Sequence, residues 1–151
     1  MIKVIQPGLF TTIQDAGRHG FRNIGIPTSG FMDQESAWAA NELVDNNKDE
    51  SLLEITLTGP TLIFNCNCVI SITGGDFNPL INNLPVKMYQ SINVSSGDIL
   101  KLNNTINGAR SYIAISGGLN VKSLFGSKSF FSNISDSCLL YTSDAADDGL
   151  C

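Results

Sequence analysis

A chain of 151 residues, 42% hydrophobic and 15% charged, is long and apolar enough for one domain with a buried core and is not of disordered composition. Its net charge of −5, with no basic block, disfavours nucleic acid as a partner. No apolar run approaches the roughly 20 residues that cross a bilayer, and polar residues or proline break up the opening Met1-Ile2-Lys3-Val4-Ile5-Gln6-Pro7-Gly8, unlike a signal peptide; a cytoplasmic protein with no membrane partner is expected.

In chain order, short runs rich in Val, Ile and Thr predict strands at residues 2–5, 11–13, 52–57, 61–64, 69–73, 86–88, 91–94, 99–102 and 112–116. One helix stands out between the second and third of these. Asp33 is placed to cap it, residues 34–44 carry Ala37, Ala40 and Val44 at helical spacing, and Asp45-Asn46-Asn47 ends it. Asn82-Asn83 can take positive φ, which predicts a hairpin between Leu80-Ile81 and residues 84–88. Ser96-Gly97-Asp98 and Asn107-Gly108 read as turns into the strands that follow. Many short strands and one helix, without βαβ alternation, predict a mainly β, closed or rolled architecture.

Two segments stand apart. Cys66 and Cys68 form a lone C-x-C, a weak pattern for metal, and are expected to be reduced and structural. Cys138-Leu139-Leu140-Tyr141-Thr142-Ser143-Asp144-Ala145-Ala146-Asp147-Asp148 resembles a translated sequencing adapter, so 138–151 is expected to be artefact and 1–137 the genuine domain. Without 138–151 the chain loses Asp144, Asp147 and Asp148 and no base, which takes the net charge from −5 to −2.

The chemistry concentrates in residues 7–33, PGLFTTIQDAGRHGFRNIGIPTSGFMD. Five glycines and two prolines argue for a shaped loop on a rigid scaffold, whose ordering costs chain entropy. Its polar groups are Gln14, Asp15, Arg18, His19, Arg22, Ser29 and Asp33. An amide ligand needs an acceptor for its N–H, which Asp15 or Gln14 can supply, and a donor to its carbonyl, which Arg18 can supply. The start of the helix after Asp33 offers backbone donors to an anion. The plainer alternative is that Asp15 and Asp33 cap turns or a helix and that Arg18 pairs with Asp15 at the surface. His19, the sole histidine, has no metal-ligand spacing around it. Strand-end glycines at Gly74-Gly75-Asp76 and Gly117-Gly118 either admit a ligand or make tight turns. No P-loop, nucleophile elbow or zinc-protease motif occurs, and Lys128-Ser129 lacks the glycine a P-loop needs before its lysine.

The opening signature, Leu53-Glu54-Ile55-Thr56 with Gly59-Pro60, residues 72–76, the Gly97-Asp98 turn, residues 108–114 with Gly117-Gly118, and residues 124–129 match in order a carboxyltransferase-like family. The chain resembles that family, which includes the KipI antagonist, allophanate hydrolase subunit 2, the C-type subunit of 5-oxoprolinase and half of the urea carboxylase carboxyltransferase domain. The likeness covers about residues 2–130, with Gly75 where alanine is expected. Members run to about twice this length, so a second half is expected to be missing. The resemblance implies a cyclophilin-like β-barrel lobe that pairs with a second lobe. It implies ATP-dependent 5-oxoproline cleavage or biotin-dependent carboxyl transfer to urea. ATP, and biotin in the urea carboxylase-like relatives, would be handled by other chains or domains. The implied partners are a KipI-like or 5-oxoprolinase B-type subunit and an A-type, LamB/YcsF-like subunit. The matched signatures carry Asp15, Arg18, Ser29, Asp33 and Arg110 as the residues that polarise or position the substrate, with no metal. The alternative is a non-catalytic module that binds a KipI-like inhibitor of a histidine kinase.

Overall fold

The computed structural model describes residues 2–133; the adapter-like segment 138–151 lies outside them. The described chain is mainly β. Its strands are β1 (Ile2–Gln6), β2 (Phe10–Gln14), β3 (Leu52–Thr56), β4 (Thr61–Phe64), β5 (Cys68–Asp76), β6 (Leu80–Ile81), β7 (Leu84–Pro85), β8 (Ser91–Val94), β9 (Ile99–Lys101) and β10 (Asn107–Ile115). The main helix is α1 (Gln34–Glu42), and Arg22–Ile24 forms one 3-10 turn. All pairings are antiparallel. One sheet runs β1-β4-β9-β6-β7 and the other β2-β3-β10-β5-β8.

Strand alternation explains how the layers meet. On β3, Leu53 and Ile55 point one way and Leu52 and Glu54 the other. The first pair joins Ile13, Ile72, Ile113 and Ile115 of the same sheet against Ile2, Leu62, Phe64 and Leu100 of the other sheet, forming the main core. The second face is covered by α1 and the turn after it, where Ala37, Ala40 and Val44 pack on Leu52, Tyr112 and Ala114. Each fully buried Leu or Ile contributes about 1.5–3 kcal/mol. Ser71 and Thr73 donate from the same face to the carbonyls of Ala40 (2.6 Å) and Ser36 (2.7 Å), which fixes the helix across the sheet.

The mainly β lobe with one main helix is as the sequence predicts, with three local differences. Residues 86–88 form no strand. Val86 N–H still donates to the Pro79 carbonyl (3.1 Å), but Pro79 has no N–H to return the bond, and the chain bends until Tyr89, at φ +56, donates its N–H to Ile72. Asn107-Gly108 is not a turn but the start of β10, where Gly108 (φ +81) sits in a register shift between Asn107 and Ser111. The helix stops at Glu42 with Leu43 as its C-cap. Asp45 (φ +57) then reverses the chain, so Val44 packs from just beyond the helix.

Candidate functional site

Residues 15–33 fold back on themselves. Arg18 donates its N–H to Thr28 (2.7 Å), and Phe31 donates to Asp15 (3.1 Å). The two limbs touch so closely that a Cβ on Gly17 would lie 2.8 Å from the Thr28 carbonyl oxygen. Glycine is therefore required there, at φ +91. Gln14, almost fully buried, accepts from Gly30 N–H (3.1 Å) and ties the loop to β2.

Asp15, Arg18 and Ser29 come together, but around protein groups. The Asp15 carboxylate accepts from the Ser127 and Ser129 hydroxyls (both 2.6 Å), Lys128 N–H (2.6 Å) and Gly17 N–H (2.8 Å). Burial acts to raise its pKa, and these four donors outweigh burial and hold it below the ordinary carboxylate range. Arg18 is 2% exposed. Its guanidinium donates to the carbonyls of Ser129 and Leu124 and to the Ser29 hydroxyl (3.4 Å). Arg18 is thus neither at the surface nor ion-paired with Asp15, as the plainer alternative had it; Ser129 bridges the two. His19 and Arg22 are exposed. Among the described residues no group of three His, Cys, Asp or Glu is placed to hold a metal.

Asp33 and Arg110 belong to a second cluster. Asp33 caps α1, accepting from Ser36 N–H (3.1 Å) and the Ser36 hydroxyl (2.5 Å). Its own N–H donates to the Tyr112 hydroxyl (2.8 Å), which donates to Glu54. Glu54, buried on β3, also accepts Met32 N–H (2.8 Å) and lies 3.4 Å from Arg110 Nε. Burial first, and then the negative charge of Glu54, push the Tyr112 phenol well above its ordinary pKa, so it remains a neutral donor.

Beside this cluster opens a cleft of about 780 Å³. Asp33 and Ser36 form one wall, Gly74-Gly75-Asp76 and Asn107-Gly108 the floor, and Lys87 and Tyr89 the opposite side. The Tyr89 hydroxyl both accepts from Gly74 N–H (3.0 Å) and donates to the Gly74 carbonyl (3.1 Å), pinning that side to β5. The floor is bare because Gly75 and Gly108 face each other; a Cβ on Gly108 would lie 2.9 Å from Gly75 Cα. Of the five residues expected from the sequence, Asp33 lines this cleft. Lys87, Tyr89 and Asn107 were not anticipated, because nothing in a single sequence sets such residues apart. Glu54 carried a signal: one carboxylate inside an otherwise apolar run.

The family model "Carboxyltransferase domain, subdomain A and B" matches residues 24–135. The chain belongs to this carboxyltransferase family. It is 39% identical over 130 residues to a urea amidolyase of Lachancea kluyveri, covering 85% of this chain and 7% of that one. It is 36% identical over 127 residues to the C-type subunit of 5-oxoprolinase from Escherichia coli, covering 84% of this chain and 41% of that one. The crystal structure of the K. lactis urea amidolyase superposes with a TM-score of 0.82 at 40% identity, over 85% of this chain and 8% of that one. The chain therefore spans less than half the length of these relatives, which are enzymes or enzyme subunits. Among the described residues no helix is long and apolar enough to cross a membrane.

Proposed function

We propose that this chain is the leading part of a cytoplasmic enzyme subunit or domain that acts on a small amide- or urea-type molecule, with 5-oxoproline and urea as the candidate substrates. The observation that carries the proposal is the cleft at the capped start of α1, which offers acceptors and donors to one planar N–H/C=O ligand. Asp33 and Asp76 supply acceptors for N–H, while Lys87 and Asn107 supply donors to carbonyl or carboxylate oxygen. Arg110 borders the floor through its backbone carbonyl without lining the cleft, and Asp15, Arg18 and Ser29 hold the loop that delivers Asp33. The kinship with urea amidolyase and with the C-type subunit of 5-oxoprolinase supports the chemical class.

The proposed partners are a KipI-like or 5-oxoprolinase B-type subunit and an A-type subunit, and ATP and biotin belong to other parts of the assembly. Lys128, the lysine nearest to a phosphate-loop pattern, is not aimed at a phosphate. Its ammonium is held by Glu50 (2.8 Å) and the Leu119 carbonyl (3.0 Å), and its N–H by Asp15. The test is to assay the full-length protein with its partner subunits for ATP-dependent 5-oxoproline hydrolysis and biotin-dependent urea carboxylation. Turnover of one substrate is expected. Asp33→Asn, which keeps the helix cap, and Lys87→Ala are each expected to lower kcat/KM by roughly tenfold or more. Absence of both activities, with retained binding of the KipI-like subunit, would replace this reading with the regulatory one.

A further inference from the structure

Glu54 is the one carboxylate among the described residues that is buried inside a strand of the main sheets, 6% exposed. A charge so placed is tolerated only where partners compensate it. Its three partners come from two separate parts of the chain. Met32 N–H belongs to the segment that leads into α1, the Tyr112 hydroxyl to the middle of β10, and Arg110 Nε to the start of β10. The Arg110 contact is asymmetric. Nε is sealed from solvent, has no hydrogen-bond partner and lies 3.4 Å from Glu54, while about a third of the side chain is exposed. The inner edge of the guanidinium is therefore held by Glu54, and the outer part reaches solvent. Among the described residues no other acidic group lies within ion-pair distance of it.

Arg110 does not line the cleft, but its backbone borders the floor. Its carbonyl would lie 3.0 Å from a Cβ on Gly75, which lines the floor, and Glu54 ties it to Met32, the residue before Asp33.

We propose that Glu54 is a positioning residue. It fixes the orientation of Arg110 relative to the capped start of α1, so that the outer guanidinium nitrogens meet a carboxylate or carbonyl oxygen of the ligand in a set geometry. Arg suits this task because its fork is planar and pre-organised, and holding one edge leaves the other to donate to an oxygen pair. The inference rests on the amide/urea reading for the identity of the ligand, but not for the Glu54–Arg110 geometry.

The two are separated by measuring both on the full-length protein with its partner subunits. The geometry is read from the 15N-edited Nε–H resonance of Arg110, assigned by its loss in Arg110→Lys. It is expected to be slow to exchange in the wild-type protein and in fast exchange with solvent in Glu54→Gln. Function is read as steady-state kinetics on whichever of 5-oxoproline or urea is turned over. Glu54→Gln is expected to raise KM by about tenfold with kcat changed less than about twofold, and Arg110→Lys to do likewise. The double variant is expected to be no worse than either single one. A Glu54→Gln protein that melts lower, yet keeps the wild-type KM and a protected Arg110 Nε–H, would show a merely structural role and overturn the proposal. If neither substrate is turned over, the amide/urea reading fails, while the Nε–H exchange still decides whether Glu54 positions Arg110.

Discussion

Replacing Asp15 by Asn changes one oxygen to an amide and leaves the shape of the side chain intact. In the folded protein that carboxylate receives four hydrogen bonds, three of them at 2.6 Å from the 127–129 segment. Asn offers one acceptor oxygen, and its NH2 must face either the Lys128 N–H or the two serine hydroxyls. Hydrogen bonds to a charged group net about 1.5–3 kcal/mol each. Half-burial lets water replace part of that, so the loss for Asp15→Asn is expected at about 2–4 kcal/mol. For a chain of this size that lowers Tm by roughly 5–15 °C. Thermal unfolding followed by circular dichroism from pH 3 to pH 8 checks it. The sign of the pH dependence is fixed, because the folded state holds this carboxyl below its ordinary value. Its contribution is complete above the unfolded pKa and is lost as pH falls through the lower folded one. The gap between wild type and variant is therefore expected to be constant near neutrality and to shrink only in acid. A variant that melts within about 2 °C of wild type at pH 7 would refute the clamp. If it also failed to bind substrate, Asp15 would be a ligand group instead.

Arg18→Lys is expected to cost about 2–4 kcal/mol in denaturant unfolding, because a lysine ammonium cannot reach the Leu124 and Ser129 carbonyls and the Ser29 hydroxyl together from a buried position. Gly74→Ala is expected to destabilise by about 1–3 kcal/mol, since Gly74 has φ +82 and an added Cβ would lie 2.7 Å from the Arg110 carbonyl; chemical denaturation measures this, and substrate affinity should fall with it.

What could be read from the sequence follows the range of the forces involved. The helix was legible because its signals are local: Asp33 bonds Ser36 three residues on, and the apolar spacing is that of one face. Strands such as β4 and β8 were legible from β-branched runs between turn residues. Asn107-Gly108 looked like a turn because positive φ at glycine suits a turn as well as a bulge. Only the partner strand β5, with Gly74 and Gly75 opposite, decides between them. The loop was recognised as polar and shaped, but the roles within it were not. Asp15 bonds residues 112 to 114 positions away, and no spacing rule links such partners. The serine-rich stretch after Gly126 supplies those partners to Asp15.

The arrangement separates two tasks that the sequence presents as one signature. Asp15 and Arg18 tie the base of the glycine-rich loop to the 124–129 segment, and Gln14 ties its returning limb to β2. That knot makes no use of the cleft, yet it sets where Gly30 turns and hence where Asp33 meets Tyr112. From there β5 and β10, the two nine-residue strands, take over. They pair along 70–74 and 111–115, shift register at the bulge and pair again at Asp76 and Asn107, with Gly75 and Gly108 in close contact where side chains would otherwise stand. A hollow above that point needs the glycines to leave the sheet surface bare, the helix cap to form a wall, and Glu54 to keep the two in register. A change in the distant knot should therefore act on substrate affinity chiefly by displacing Asp33, and substitutions at Asp15 and at Asp33 should be strongly non-additive although their side chains share no direct hydrogen bond.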